Sequence, residues 1–118
     1  MIRTLSVGVM VVAMLAPLSA FQEPYKPGGG VTTPKVSTRV DPQYTQEAKA
    51  AKIEGSVTLK VVVDRNGVPR DIEVVKPLDS GLDANAITAV SQWRFEPGTK
   101  DGQAVDVQAT IEVNFRLL

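Results

Sequence analysis

The stretch "AVDVQATIEVNFRLL" near the carboxy terminus alternates apolar and polar residues from Val105 to Leu117. Val105, Val107, Ala109, Ile111, Val113, Phe115 and Leu117 share one face, and Asp106, Gln108, Thr110, Glu112, Asn114 and Arg116 share the other. A period of two is the signature of a pleated strand with one side in a core and the other in water. Such a strand needs neighbours to complete its ladder and a layer to cover its apolar face, so the rest of the chain must supply both.

The neighbours are legible in "SVTLKVVVDRNGVPRDIEVVK". Val57, Leu59, Val61 and Val63 alternate with Ser56, Thr58, Lys60 and Asp64. Asn66-Gly67 then gives a strong hairpin signal. The return strand sets Ile72 and Val74 against Asp71 and Glu73, with Pro69 near its start, where a missing donor is tolerated. Asp64 to Gly67 is too short for a crossover, so this pair is antiparallel.

The cover is helical. "YTQEAKAAKIEG" is rich in helix formers (Glu47, Ala48, Lys49, Ala50, Ala51, Lys52) and reads as about two turns, ended by Gly55 as a C-terminal cap. "LDSGLDANAITAVSQW" carries a helical stripe of Leu82, Ala86, Ala89, Val90 and Trp93 with Ile87 on its flank, and Asp83 is the expected N-cap. The fold class expected is α+β. It is a two-layer domain in which a three-stranded antiparallel sheet packs against two helices. The last strand lies beside the first, giving the order 2-1-3 and leaving the last strand with an outer edge. At 118 residues there is room for one such domain.

Chemistry is constrained by what is missing. The chain has no cysteine and no histidine, which removes thiolate and imidazole nucleophiles, bases and ligands. Ser56 and Ser91 have no histidine to activate them. Asp64, Asp71 and Glu73 gather near the hairpin but do not follow a calcium-loop pattern, and they read as turn and surface residues. The triplet Gly28-Gly29-Gly30 precedes no strand-then-helix unit with a phosphate-loop lysine. Formal net charge is zero, with no basic run suited to nucleic acid. The expectation is a protein that is not an enzyme, with no cofactor, no metal, no nucleic acid and no small-molecule substrate.

The amino-terminal part has a different character. "MIRTLSVGVMVVAMLAPLSA" sets Arg3 before an apolar run from Leu5 to Ala16, then Pro17 and the small residues Ser19-Ala20. This is the pattern of a signal peptide over residues 1–20, with an uncleaved membrane anchor as the alternative. Either places the remainder outside the cytoplasm, periplasmic or secreted, and anchored in the inner membrane if the leader stays. Residues 21–41, with Pro24, Pro27, Gly28–Gly30 and Pro34, read as a flexible linker. Fully stretched, it reaches ~65 Å. The folded domain is expected over 42–118.

"SQWRFEPGTKDG" holds the only tryptophan. Trp93 closes the helical stripe, Phe95 follows, and Pro97-Gly98 stops the helix. Trp93 and Phe95 are expected to fill the gap between helix end and sheet, with Arg94 and Glu96 outward and a turn over Lys100, Asp101 and Gly102.

From Pro42 onward the sequence resembles the C-terminal domain of TonB-like energy transducers. The resemblance runs through Pro42 and Tyr44, Gly55-Ser56-Val57, Val63-Asp64-Arg65-Asn66-Gly67-Val68, Leu82-Asp83-Ala84-Asn85-Ala86, Trp93-Arg94-Phe95-Glu96-Pro97 with Gly102, and the closing strand with Phe115. It implies a periplasmic protein-interaction domain. Such a domain binds an extended segment of an outer-membrane, TonB-dependent receptor, or another envelope protein, by adding it to the sheet edge in energy-coupled transport. The edge expected to receive it is Val107, Gln108, Ala109, Thr110, Ile111, Glu112, Val113, Asn114 and Phe115. The same edge is open to a second copy, giving a homodimer. Three features depart from the family: the leader reads as cleavable, the linker is short where a transducer carries a long proline-rich spacer, and Thr45 stands where proline is usual. The alternative is a freestanding secreted or envelope binding module without energy transduction. The leader reading predicts that N-terminal sequencing of envelope material finds Phe21 first; a chain still starting at Met1 and released only by detergent identifies an anchor instead.

Overall fold

The computed structural model describes residues 23–118. The leader expected over 1–20 lies outside the described residues. The elements are β1 (Lys35–Thr38), α1 (Gln46–Ala50), β2 (Gly55–Val63), β3 (Pro69–Lys76), α2 (Ser80–Ser91), β4 (Arg94–Glu96), β5 (Thr99–Lys100), β6 (Gln103–Ala104) and β7 (Val107–Phe115). The main sheet has the order β3-β2-β7 and is antiparallel throughout. This is the expected 2-1-3 arrangement. Two smaller two-stranded ladders, β1-β4 and β5-β6, were not foreseen.

The core forms where the predicted faces meet. Val57, Leu59, Val61 and Val63 of β2 are fully buried, with Val107, Ile111, Val113 and Phe115 of β7 beside them and Leu82, Ala86, Ala89 and Val90 of α2 above. Each large aliphatic side chain buried there contributes about 1.5–3 kcal/mol. The small Ala86 and Ala89 let α2 lie close to the sheet. β7 is shorter than its sequence pattern. Val105 precedes the strand, its N–H donating to Gly98 O, and Leu117 follows it, its N–H donating to Glu54 Oε1.

Both helix boundaries correct the sequence reading. α2 starts earlier than expected, with Asp79 as N-cap, its carboxylate accepting from Leu82 N–H at 3.1 Å. Asp83, the expected cap, lies inside the first turn and reaches back to accept from Leu78 N–H and Asp79 N–H. The two carboxylates thus divide the orphan donors of one helix start, where the dipole also favours negative charge. α1 is a single short turn capped by Thr45, whose hydroxyl accepts from Ala48 N–H at 3.0 Å. The residue that departs from the family pattern therefore has a job in this chain. Gly55 is not the C-terminal cap of α1. Lys52 takes the left-handed conformation (φ 56°), its N–H bonding Lys49 O while Ile53 N–H bonds Ala48 O, which is the Schellman arrangement. Gly55 instead opens β2 opposite Phe115.

The hairpin turn is held by Asp64, whose carboxylate accepts from both Asn66 N–H and Val68 N–H while Gly67 N–H donates to Asp64 O. Gly67 does more than turn the chain. Phe95 N–H donates to Gly67 O at 2.9 Å, and a Cβ on Gly67 would stand 2.0 Å from Phe95 O. Gly67 also has φ +80°. Two requirements, conformation and close approach, fall on this one residue.

The segment 21–41, expected as a linker ahead of a domain starting at Pro42, is drawn onto the domain from Tyr25 onward. β1 pairs antiparallel with β4, Val31 bridges Lys100, Thr32 N–H donates to Thr99 O, and Pro34 is buried. The prolines do not prevent this. They sit between the bonding residues, where no backbone donor is needed. Among the described residues, no helix is long and apolar enough to cross a membrane.

Gly67→Ala is expected to lower stability by about 2–4 kcal/mol, because both φ and the Phe95 backbone oppose a side chain. Gly102→Ala, at φ +80° in the β5-β6 turn but with nothing within 4 Å of a new Cβ, should cost only about 1 kcal/mol. Urea unfolding of the two variants measures the difference, and equal losses would remove the contact with Phe95 from the explanation.

Candidate functional site

The outer edge of β7 is the most distinctive surface feature. On its inner side β7 pairs with β2 in an unbroken register, from Gly55 opposite Phe115 to Val63 opposite Val107. On its outer side, among the described residues, one pairing is made: Tyr25 forms a parallel bridge with Val107, its N–H donating to Asp106 O and its O accepting from Gln108 N–H. Those bonds fix the direction of the backbone. Residues whose N–H and C=O point outward alternate along a strand, so Thr110, Glu112 and Asn114 follow Gln108 in facing away from β2. Among the described residues, none of these three has a backbone partner on that side.

The opposite edge of the sheet is built differently. β3 begins at Pro69, its register with β2 shifts twice, and Asp71 sits at φ 52°. Arg70 bridges the neighbouring Asp71 and reaches across to Asp106 at 3.0 Å. That last bond leads the causes that hold the guanidinium pKa above its ordinary value. Bulges, a proline and paired charges are the devices that blunt an edge. β7 has no bulge and no proline along its length. It does present Glu112 and Asn114 as exposed polar side chains on its solvent face, with Asn114 bonded to Ser56.

A groove of about 530 Å³ runs beside this edge. Gln108–Glu112 form one wall, residues from the Lys26–Arg39 segment form the other, and Trp93 and Phe95 contribute between them. Trp93 is buried, 3% exposed, with its ring 6.2 Å from that of Phe95. Its indole N–H donates to Val40 O at 2.8 Å, and the Arg39 guanidinium lies 4.8 Å from its centroid. The tryptophan is therefore a core residue that also pins the far wall of the groove.

The remaining residues singled out from sequence are framework. Tyr44 packs edge-on against Phe115 at 5.5 Å, and its hydroxyl donates to Ile53 O. Burial, then Glu54, pushes that hydroxyl's pKa above its usual value. Leu82 is buried, Asn66 is exposed in the turn, and Pro97 is half-buried after β4. They are spread over the domain and do not converge on one place. Tyr25, Val36 and Arg39 were missed, although an aromatic residue inside a proline- and glycine-rich stretch was a signal available to find the first. Among the described residues, no group of three His, Cys, Asp or Glu side chains could hold a metal ion.

Comparison with known proteins agrees with the fold. The family described as Gram-negative bacterial TonB protein C-terminal matches residues 40–117. The chain belongs to the TonB C-terminal family. Protein TonB of Klebsiella aerogenes is 33% identical over 85 residues, covering 71% of this chain and 33% of that protein. Protein TonB of Vibrio cholerae is 31% identical over 83 residues, covering 70% and 34%. The solution NMR structure of the Pseudomonas aeruginosa TonB CTD is similar with a TM-score of 0.59 at 28% identity, covering 76% of this chain and 89% of that one. The chain thus spans about a third of the length of the curated TonB proteins it matches.

Trp93→Ala is expected to destabilise the TonB-type domain by about 3–5 kcal/mol, as for loss of a buried aromatic. Chemical denaturation measures it. Unchanged stability together with a lost binding activity would make Trp93 a recognition residue and not a core one.

Proposed function

We propose that this chain is a non-enzymatic, periplasmic protein-interaction domain of the TonB type. It takes up an extended segment of an outer-membrane receptor by strand addition along β7, in the service of energy-coupled transport. The observation that carries this reading is the edge itself. β7 offers outward N–H and C=O groups at Thr110, Glu112 and Asn114, on a bulge-free strand and facing a groove, while β3 is blunted. An added strand satisfies those groups and places alternate side chains in the groove and in water. Membership of the TonB C-terminal family supports the same partner class.

A second reading has its own support. The segment expected to stretch between leader and domain is folded back on the domain from Tyr25 onward, through β1 and the bridges of Tyr25 and Val31. A segment held against the domain in this way is not a freely extended spacer, which favours an envelope binding module working without energy transduction. Both readings use the same edge and the same kind of guest.

The test is amide exchange along Val107–Phe115 with and without a synthetic peptide copying the periplasm-facing extended segment of an outer-membrane receptor. The expected result is new protection at Thr110, Glu112 and Asn114, the outward-facing amides, with little change at Ile111 and Val113, which already bond β2. A peptide that binds while those three amides exchange as before would remove β7 as the docking surface.

A further inference from the structure

The start of the β7 edge is already occupied by the chain itself. Tyr25 lies parallel to Val107, with N–H to Asp106 O at 2.9 Å and Gln108 N–H to Tyr25 O at 2.8 Å. The contact is fastened from outside the strand. Lys100 Nζ stands 4.7 Å from the Tyr25 ring centroid, and the following turn is tied down by the Gly28–Val31 pair and the bridge from Val31 to Lys100.

The pairing stops after one residue for a chemical reason. In a parallel ladder, bonding on the Tyr25 strand recurs every second residue, so the next donor to Gln108 O would be the N–H of residue 27. Residue 27 is proline and has none. The next outward amide, Thr110 N–H, is left without this neighbour. The chain then turns away at Gly28, which has φ 106°.

We propose that Tyr25–Pro27 is a placeholder on the docking edge: it occupies the Asp106–Gln108 end, is prevented by Pro27 from spreading, and yields to an incoming strand. This rests on strand addition at β7. Two backbone hydrogen bonds at a half-exposed site contribute modestly, so the segment is displaceable. While it is in place, a guest has only the backbone beyond it. A short or mismatched guest gains little there, whereas a long matched guest gains the Asp106 and Gln108 groups as well by removing Tyr25. The placeholder thus lowers the affinity of every guest that reaches Gln108 by the fraction of time it is bound, and keeps an open edge from pairing indiscriminately.

The test uses the full chain and the receptor peptide named above, with Tyr25→Pro and Pro27→Ala as opposing variants. In the wild-type protein the Gln108 amide should be protected from exchange. Tyr25→Pro removes the donor to Asp106 O, so Gln108 should lose protection and the peptide should bind roughly three- to tenfold more tightly. Pro27→Ala restores a donor opposite Gln108 O, so the Thr110 amide should gain protection in the free protein and the peptide should bind more weakly by a similar factor. Chemical shifts of β2 and the core verify that both variants are folded. If the peptide protects Thr110, Glu112 and Asn114 equally well in all three proteins and with equal affinity, strand addition stands and the placeholder is wrong. If it protects them in none, both are wrong.

Discussion

The ladder between β2 and β7 is the interaction on which the rest of the domain depends. Its register brings Val57, Leu59, Val61 and Val63 alongside Val113, Ile111, Ala109 and Val107, so one slip by a residue would turn two apolar faces to water together. The strands also come from distant parts of the chain. Closing the loop between them is entropically expensive, and their shared face must be covered by α2 before the expense is recovered. Everything else is arranged around that pair. β3 is delivered to the far side of β2 by a short turn, and Tyr44 packs edge-on against Phe115 at the near end.

Fixing the ladder also fixes where the sheet can be reached. β2 is central, with both sides used, so among the described residues the main sheet has its outer edges at β3 and β7. The molecule treats the two unequally. Asp71 at positive φ and the two register shifts twist β3 out of a pairing geometry, while the strand with the most regular backbone stands at the other edge. That regularity follows from the same alternation that buries the core face, because a bulge in β7 would misplace Ile111 or Val113. An open, straight edge is thus a consequence of how the core is packed.

The main sheet and α2 were legible in the sequence because each announces itself through a period. The alternation at 105–117 and the stripe Leu82, Ala86, Ala89, Val90 reflect burial of a continuous face, and burial is what a period records. The boundaries were less legible. Asp79 and Asp83 are equally good caps in sequence, and only the backbone shows that one caps and the other reaches back. Gly55 looked like a helix stop because glycine usually takes the left-handed position, yet Lys52 takes it here. The docked amino-terminal segment was the least legible. Its contacts are a short ladder and scattered bonds to residues far along the chain, such as Thr32 to Thr99, and these leave no periodic trace. Its prolines and glycines argued for a linker, although what they exclude is regular structure and not attachment. The β7 edge itself was foreseen as a span of residues, but its groove depends on that segment and could not be.

The single tryptophan joins these two levels of structure. As a buried aromatic it belongs to the core that holds α2 on the sheet, and it would be needed even if nothing ever bound. Yet its indole N–H ends on Val40 O and its ring carries Arg39, so this side chain, together with the β1-β4 ladder, ties the outer wall of the groove to the core. A change at Trp93 would therefore disturb the wall and the core at once. The groove is better tuned from its other components. Val36 and Arg39 are exposed, and so are Thr110 and Glu112 on β7. Variation there alters what the groove accepts while the β2-β7 ladder stays as it is. A domain built this way can keep its fold and change its guest through these exposed residues, while Trp93, Phe95 and Ile111 serve core and groove alike.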